Sequence, residues 1–137
     1  MGRLLAIDYG LKRVGLAVTD PLRIIASPLD TVATHQIIRY LTDYCQREPV
    51  DAFVVGLPKK LDNSDTHATQ PVRSFVRQLE NKFPHQSVHL HDERFTSRMA
   101  LDAMIAGGTS KKYRQQKGNI DKVSATIILQ SYLEATS

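Results

Sequence analysis

The 137 residues contain a single cysteine, Cys45. One thiol excludes an intrachain disulfide and a cysteine-rich zinc site, and it suits a reducing compartment such as the cytoplasm. Low-complexity segments and internal repeats are missing, which argues against a solenoid or a linker-like chain. No apolar run is long enough to span a bilayer, so no membrane partner is expected. The first residues lack the basic stretch, apolar segment and cleavage site of a secretory leader, so none is expected. Excess charge of either sign is also small. Eighteen Lys and Arg against 14 Asp and Glu leave +4, which permits a polyanionic partner without demanding one. Hydrophobic content of 42% and charged content of 23% are ordinary for a globular protein, and the length fits one domain over 1–137 with one sizeable core.

What is present is organised around RLLAIDYGLKRVGLAVTD, Arg3 to Asp20. The apolar run Leu4-Leu5-Ala6-Ile7 ends on the carboxylate of Asp8. A turn over Tyr9 to Arg13 leads into a second run of small and apolar residues, Val14 to Val18. The pattern predicts a β-hairpin whose first strand is central and buried. An ionised carboxylate at the end of such a strand is costly unless a cation or a set of donors pairs with it. The plain alternative is that Asp8 caps the turn locally. Gly10 and Gly15 allow close approach of backbone or ligand.

Further along, Ile24 to Leu29 predicts a third strand, placed near a sheet edge by Pro28. Apolar residues at Ile37, Ile38, Leu41, Tyr44 and Cys45 predict a helix from Thr34, as N-cap, to Glu48. Cys45 on that stripe reads as a core thiol. Val50 to Leu57 predicts a buried strand, Leu61 to Gln70 an exposed loop, and Thr69 to Lys82 a helix with Val72, Phe75, Val76 and Leu79 inward. Ser87 to His91 predicts a strand. Thr96 to Ala106 predicts a helix stopped at Gly107-Gly108, Ser110 to Gly118 a basic loop, and Ile120 to Ala135 a final helix. Three antiparallel strands followed by β/α alternation make an α/β fold: a mixed five-stranded sheet with helices on both faces. Ligands of such folds gather at the carboxyl ends of strands, and Asp8, Gly56-Leu57-Pro58 and Asp92-Glu93 all follow strand ends.

Asp121 falls in the expected first turn of the last helix, where an acid commonly complements the helix dipole. Joined instead to Asp8 and Glu93, it makes a three-carboxylate cleft that stays ionised only around cations. Hard oxygen donors suit Mg²⁺ or Mn²⁺, and such ions support phosphodiester hydrolysis. Lys12, Arg13, Arg94, Lys59, Lys60 and the basic loop with Lys111, Lys112, Arg114 and Lys117 offer contacts to a nucleic acid, and Tyr113 offers a stacking surface. The same residues serve as solvated surface in most proteins. Rival readings are a nucleotide-binding fold of the actin-like type, which needs a second lobe, a non-catalytic module for structured RNA, and a zinc site using His89 and His91.

Four segments carry a resemblance. DYGLKRVGLAVTD (8–20), VVGLP (54–58), HDERFTS (91–97) and GNIDKVSATIIL (118–129) resemble, in the same order, the motifs of the RuvX/YqgF family of pre-16S rRNA nucleases, also called Holliday junction resolvases. The match spans nearly the whole chain, and the combination is far more specific than Asp-x-Gly alone. It implies an RNase H-like, RuvC-like fold and a metal-dependent nuclease of rRNA 5′-end maturation in the cytoplasm. Its substrate would be structured RNA or branched DNA, its partners would include ribosomal particles, and it would act as a monomer or homodimer. By the same resemblance Asp8, Glu93 and Asp121 are the catalytic, metal-holding acids. Asp92 competes with Glu93, since consecutive strand residues face opposite ways. Asn63 stands where the family is expected to favour Gly, a mild departure because Asn tolerates a left-handed turn.

Overall fold

The structure is a computed structural model and is described for residues 2–57, 69–92 and 117–136. Strands β1 (Arg3–Tyr9), β2 (Arg13–Thr19), β3 (Ala26–Ala33), β4 (Val50–Leu57) and β5 (Ser87–Asp92) form one sheet in the order β3-β2-β1-β4-β5. The first three strands pair antiparallel, and β1–β4 and β4–β5 pair parallel. This is the mixed five-stranded sheet that the strand order implied. β1 takes the centre because its apolar run has both faces to bury: Leu5, Ala6 and Ile7 are fully inaccessible.

The two faces are covered differently. Leu5, Ile7, Val14, Leu16, Phe53 and Val55 pack beneath α1 (Ile37–Arg47) and α2 (Thr69–Lys82), through Ile37, Leu41, Val72, Phe75 and Leu79. The opposite face presents smaller residues, Leu4, Ala6, Ala17, Ala52 and Val54, to Ala125, Ile128 and Leu129 of α3 (Lys117–Thr136). Small side chains let a helix axis sit close to the sheet. Pro71 is tolerated in the first turn of α2, where its missing N–H has no intrahelical partner to lose.

Several boundaries shift by a residue, β5 for one running on to include Asp92, and three differ for a physical reason. The third strand begins at Ala26, not Ile24, and continues to Ala33. Ile24 and Ile25 are instead held in a turn, both backbone N–H groups donating to Asp20 Oδ1 at 2.8 and 2.7 Å, with Arg23 at a φ of 59°. β3 is an edge strand, as Pro28 indicated, so it tolerates the polar residues Asp30 and Thr31. Thr34 is not the cap of α1. It opens a 3₁₀ turn, Thr34–Gln36, and its hydroxyl donates to the Gly10 carbonyl at 2.7 Å, pinning the β1–β2 turn. Finally, α3 starts at Lys117, three residues before Ile120, so Lys117 belongs to the helix rather than to a loop. Of the expected loop at 61–70, residues 69 and 70 begin α2; its other residues, the helix at 96–106, the stop at 107–108 and residues 110–116 of the basic loop lie outside the described residues.

Cys45 is half-buried on α1 and burial pushes its thiol up, which suppresses the thiolate. Labelling with Ellman's reagent at pH 7.5 is therefore expected to be slow in the folded protein. It should accelerate by about tenfold or more on unfolding, because burial lowers both the thiolate fraction and the access of the reagent. Equal rates in both states would make Cys45 a surface thiol.

Candidate functional site

Strand alternation places Asp8 on the α3 face, in line with Leu4 and Ala6. The register sets Asp8 directly opposite Gly15. On its other side β1 runs parallel to β4, with Ile7 paired to Val55, so one step further along both strands brings Asp8 beside Gly56. Gly56 in turn pairs with His91. A row thus crosses the sheet on this face from Gly15 to Asp8, Gly56 and His91. In this row the central carboxylate has a glycine to either side.

Helix α3 closes over the same spot. A Cβ added at Gly15 would run into the backbone carbonyl of Asp121 and would lie 3.0 Å from the Asp121 Cβ. Gly15 is therefore the seat on which Asp121 rests, and Asp8 and Asp121 both adjoin it although 113 positions separate them in sequence, from 8 to 121. With α3 beginning at Lys117, Asp121 lies beyond the first turn and no acid occupies that turn. The helix-dipole reading of Asp121 is corrected accordingly. Its observed partner is Arg13, whose Nε donates to Oδ2 at 2.8 Å, a length typical of a charge-assisted bond. Arg13 and Gly15 share one face of β2, two residues apart.

Asp92 pairs with Leu57 on β4, which follows Phe53 and Val55 on the α1–α2 face. Asp92 therefore lies on the face opposite Asp8. Glu93, Arg94, Lys111, Lys112, Tyr113 and Arg114 lie outside the described residues. Lys12 sits in the exposed β1–β2 turn. It borders a cleft of about 660 Å³ lined also by Tyr9, His35, Ile38, Phe75 and Gln78, on the α1–α2 side. His91 Nε2 lies 2.9 Å from Ser131 Oγ, and the rings of His89 and His91 pack on Tyr132 at 5.7 and 6.0 Å. Both histidines therefore have partners within the fold.

Asp8 and Asp121 supply hard oxygen donors, which fit Mg²⁺ or Mn²⁺ better than a thiophilic ion. One turn beyond Asp121, the Ser124 hydroxyl is buried with no hydrogen-bond partner among the described residues. A buried polar group of that kind calls for a ligand or ordered water. No cluster of three His, Cys, Asp or Glu occurs among the described residues, and Glu93 is not one of these. Close approach of backbone at Gly15 was expected, and the structure shows it; that the partner is Asp121, that Arg13 pairs with it and that the Ser124 hydroxyl is buried unpartnered among the described residues were not anticipated from sequence. The available signal was Arg13-x-Gly15-x-Ala17, a period-two row that shrinks to a hydrogen where the helix comes nearest.

A mixed sheet in this order, with one long helix on a small-residue face that carries acids, defines an RNase H-like domain of the RuvC type. Accordingly, Thermus thermophilus RuvC in complex with a Holliday junction substrate superposes with a TM-score of 0.57 at 16% identity, covering 100% of this chain and 97% of that one. The RuvX family model, described as Holliday junction resolvase, matches residues 2–135, and the chain belongs to that family. An Amoebophilus asiaticus (strain 5a2) protein named "Putative pre-16S rRNA nuclease" is 51% identical over 135 residues, 98% of this chain and 96% of that protein. A Porphyromonas gingivalis protein of the same name is 50% identical over 134 residues, 98% and 97% of the two chains.

Proposed function

We propose that this protein is a divalent-metal-dependent nuclease that hydrolyses phosphodiester bonds in structured RNA, acting on pre-16S rRNA near its 5′ end in the cytoplasm. The observation that carries the reading is the meeting of Asp8 and Asp121 at Gly15, in a chain whose relatives bear the nuclease name. Asp8, Asp121 and Glu93 are assigned to hold Mg²⁺ or Mn²⁺. When bound, such ions neutralise charge on the phosphate and activate water for in-line attack. The chain's own residues do the positioning. Asp8 is fixed at the end of a buried central strand, so its carboxylate does not drift. Asp121 is fixed by the contact of α3 with Gly15. Arg13 and Lys12, with Arg94, Lys111, Lys112, Arg114 and Lys117, are assigned to backbone phosphates, and Tyr113 to stacking on an unpaired base.

The test is cleavage of a pre-16S rRNA fragment and of a four-way DNA junction across a Mg²⁺ and Mn²⁺ titration. RNA cleavage that rises with metal and stops in excess EDTA is expected. Cutting of the junction alone would move the substrate to branched DNA, the specificity named in the family description. Binding of RNA with no cleavage at any metal concentration would leave a binding module in place of the enzyme.

A further inference from the structure

We infer that Arg13 is a displaceable counter-ion for Asp121, and that its release couples metal loading to the grip on a phosphate backbone. The inference rests on the reading above, in which Asp121 holds a divalent ion. It starts from the 2.8 Å bond between Arg13 Nε and Asp121 Oδ2. A carboxylate oxygen held by a guanidinium is a poorer ligand, because part of its charge is already neutralised. Arg13 and an ion therefore compete for Asp121.

The competition is built into the fold. α3 cannot tilt Asp121 out of reach of Arg13 without lifting its backbone from Gly15, two residues along the same strand. Nor can Arg13 move away as a unit, since β2 is paired on both sides. Only the Arg13 side chain has freedom to change partner. Its side chain is 40% exposed, against 23% for Asp121, so the pair sits at the rim of the site, beside the turn that carries Lys12. A pair this open is weak and is readily exchanged. A guanidinium has five N–H donors, of which this bond engages one, and a phosphate matches its fork.

The consequence is a linkage. An ion at Asp121 repels the guanidinium and turns it toward solvent, where a phosphate receives it. A phosphate on Arg13 in turn uncovers Asp121 for the ion. Each ligand must therefore raise the affinity of the other by the same factor. The competing account makes Arg13 a fixed brace that holds α3 in place. The two accounts differ in sign, since loss of a brace weakens metal binding and loss of a competitor strengthens it.

The experiment measures Mn²⁺ affinity by calorimetry on the full chain, with and without a nuclease-resistant phosphorothioate RNA hairpin. Wild type, Arg13→Gln, Arg13→Lys and Asp8→Asn are compared. Without RNA, Arg13→Gln should bind Mn²⁺ about threefold more tightly than wild type, the scale of a partly exposed ion pair. The hairpin should tighten Mn²⁺ binding to wild type, and to Arg13→Gln by a smaller factor. Arg13→Lys, which keeps the charge, should fall between the two, and it serves as the informative variant if Arg13→Gln does not fold. Unchanged or weaker Mn²⁺ binding by Arg13→Gln, or by Arg13→Lys in its place, overturns the inference, as does an undiminished hairpin effect. No Mn²⁺ binding by wild type, or binding unaffected in Asp8→Asn, overturns the proposed metal site itself, which is a separate result.

Discussion

Asp8→Asn is expected to lower metal-supported cleavage on the order of 1,000-fold or more while leaving the protein folded. The size follows from what a positioned metal contributes to phosphoryl chemistry, several kcal/mol, with each 1.4 kcal/mol about tenfold in rate. Asn keeps the shape of the Asp8 side chain but gives up the charge that an ion requires. The fold survives because the strand is held by its neighbours. Leu5, Ala6 and Ile7 are fully buried, and β1 is paired to β2 through Tyr9 and to β4 through Ile7. None of this depends on a charge at position 8. The check is cleavage rate, circular dichroism and melting temperature measured on one preparation. Wild-type rates in Asp8→Asn would remove the acid from the reaction. Loss of activity together with loss of the melting transition would instead make Asp8 a structural group.

Asp8 stands out in the sequence because a carboxylate closing an apolar run is a local contradiction, visible without knowledge of any partner. β1 and β4 were legible for a related reason: both are buried on two faces, so nearly every residue is apolar. The edge strand β3 was legible in kind and place, through Pro28, but not in its bounds. Only one of its edges is paired, so Asp30 and Thr31 sit within it, while the apolar Ile24 and Ile25 fall outside. Thr34 shows a different failure. Its residue type suits a helix cap, yet Gly10, 24 positions earlier, takes its hydroxyl. The start of α3 was obscured by Gly118, which closes the expected basic loop although the helix runs through it. Local signals cannot report a tertiary partner. That is also why the Arg13–Asp121 bond, spanning 108 positions, left no trace in spacing or composition. The resemblance to RuvX/YqgF placed Asp121 among the acids, but it took the register of β1 on β2 and the contact at Gly15 to bring Asp121 to Asp8.

Gly15→Ala should do more damage than any other single methyl group added to this face. Overpacking of a close-packed interior costs about 1–3 kcal/mol when side chains can shift to absorb it. Here the obstacle is the main-chain carbonyl of Asp121, which no rotamer change can move. Both ways of relieving the clash are confined. β2 is bonded to β1 and β3 along its length, and α3 is anchored further along by Ala125, Ile128 and Leu129 against Ala6, Ala17 and Val54. The helix end bearing Asp121 is therefore the part that lifts, and the lift falls on the site. The variant is expected to melt several degrees lower, since for a chain of this length each kcal/mol corresponds to roughly 3–6 °C. At temperatures where it remains fully folded, it should still bind Mn²⁺ at least about tenfold more weakly and cleave poorly, because ligand sets lose affinity when a donor shifts by as little as about 1 Å. Separating the two effects is the point of the measurement. A lower melting temperature with native Mn²⁺ affinity would mean that Gly15 serves packing alone and that Asp121 does not need its seat. A stable variant with full activity would show that α3 can move away from β2 at no cost, and the convergence of Asp8 and Asp121 on this glycine would no longer define the site.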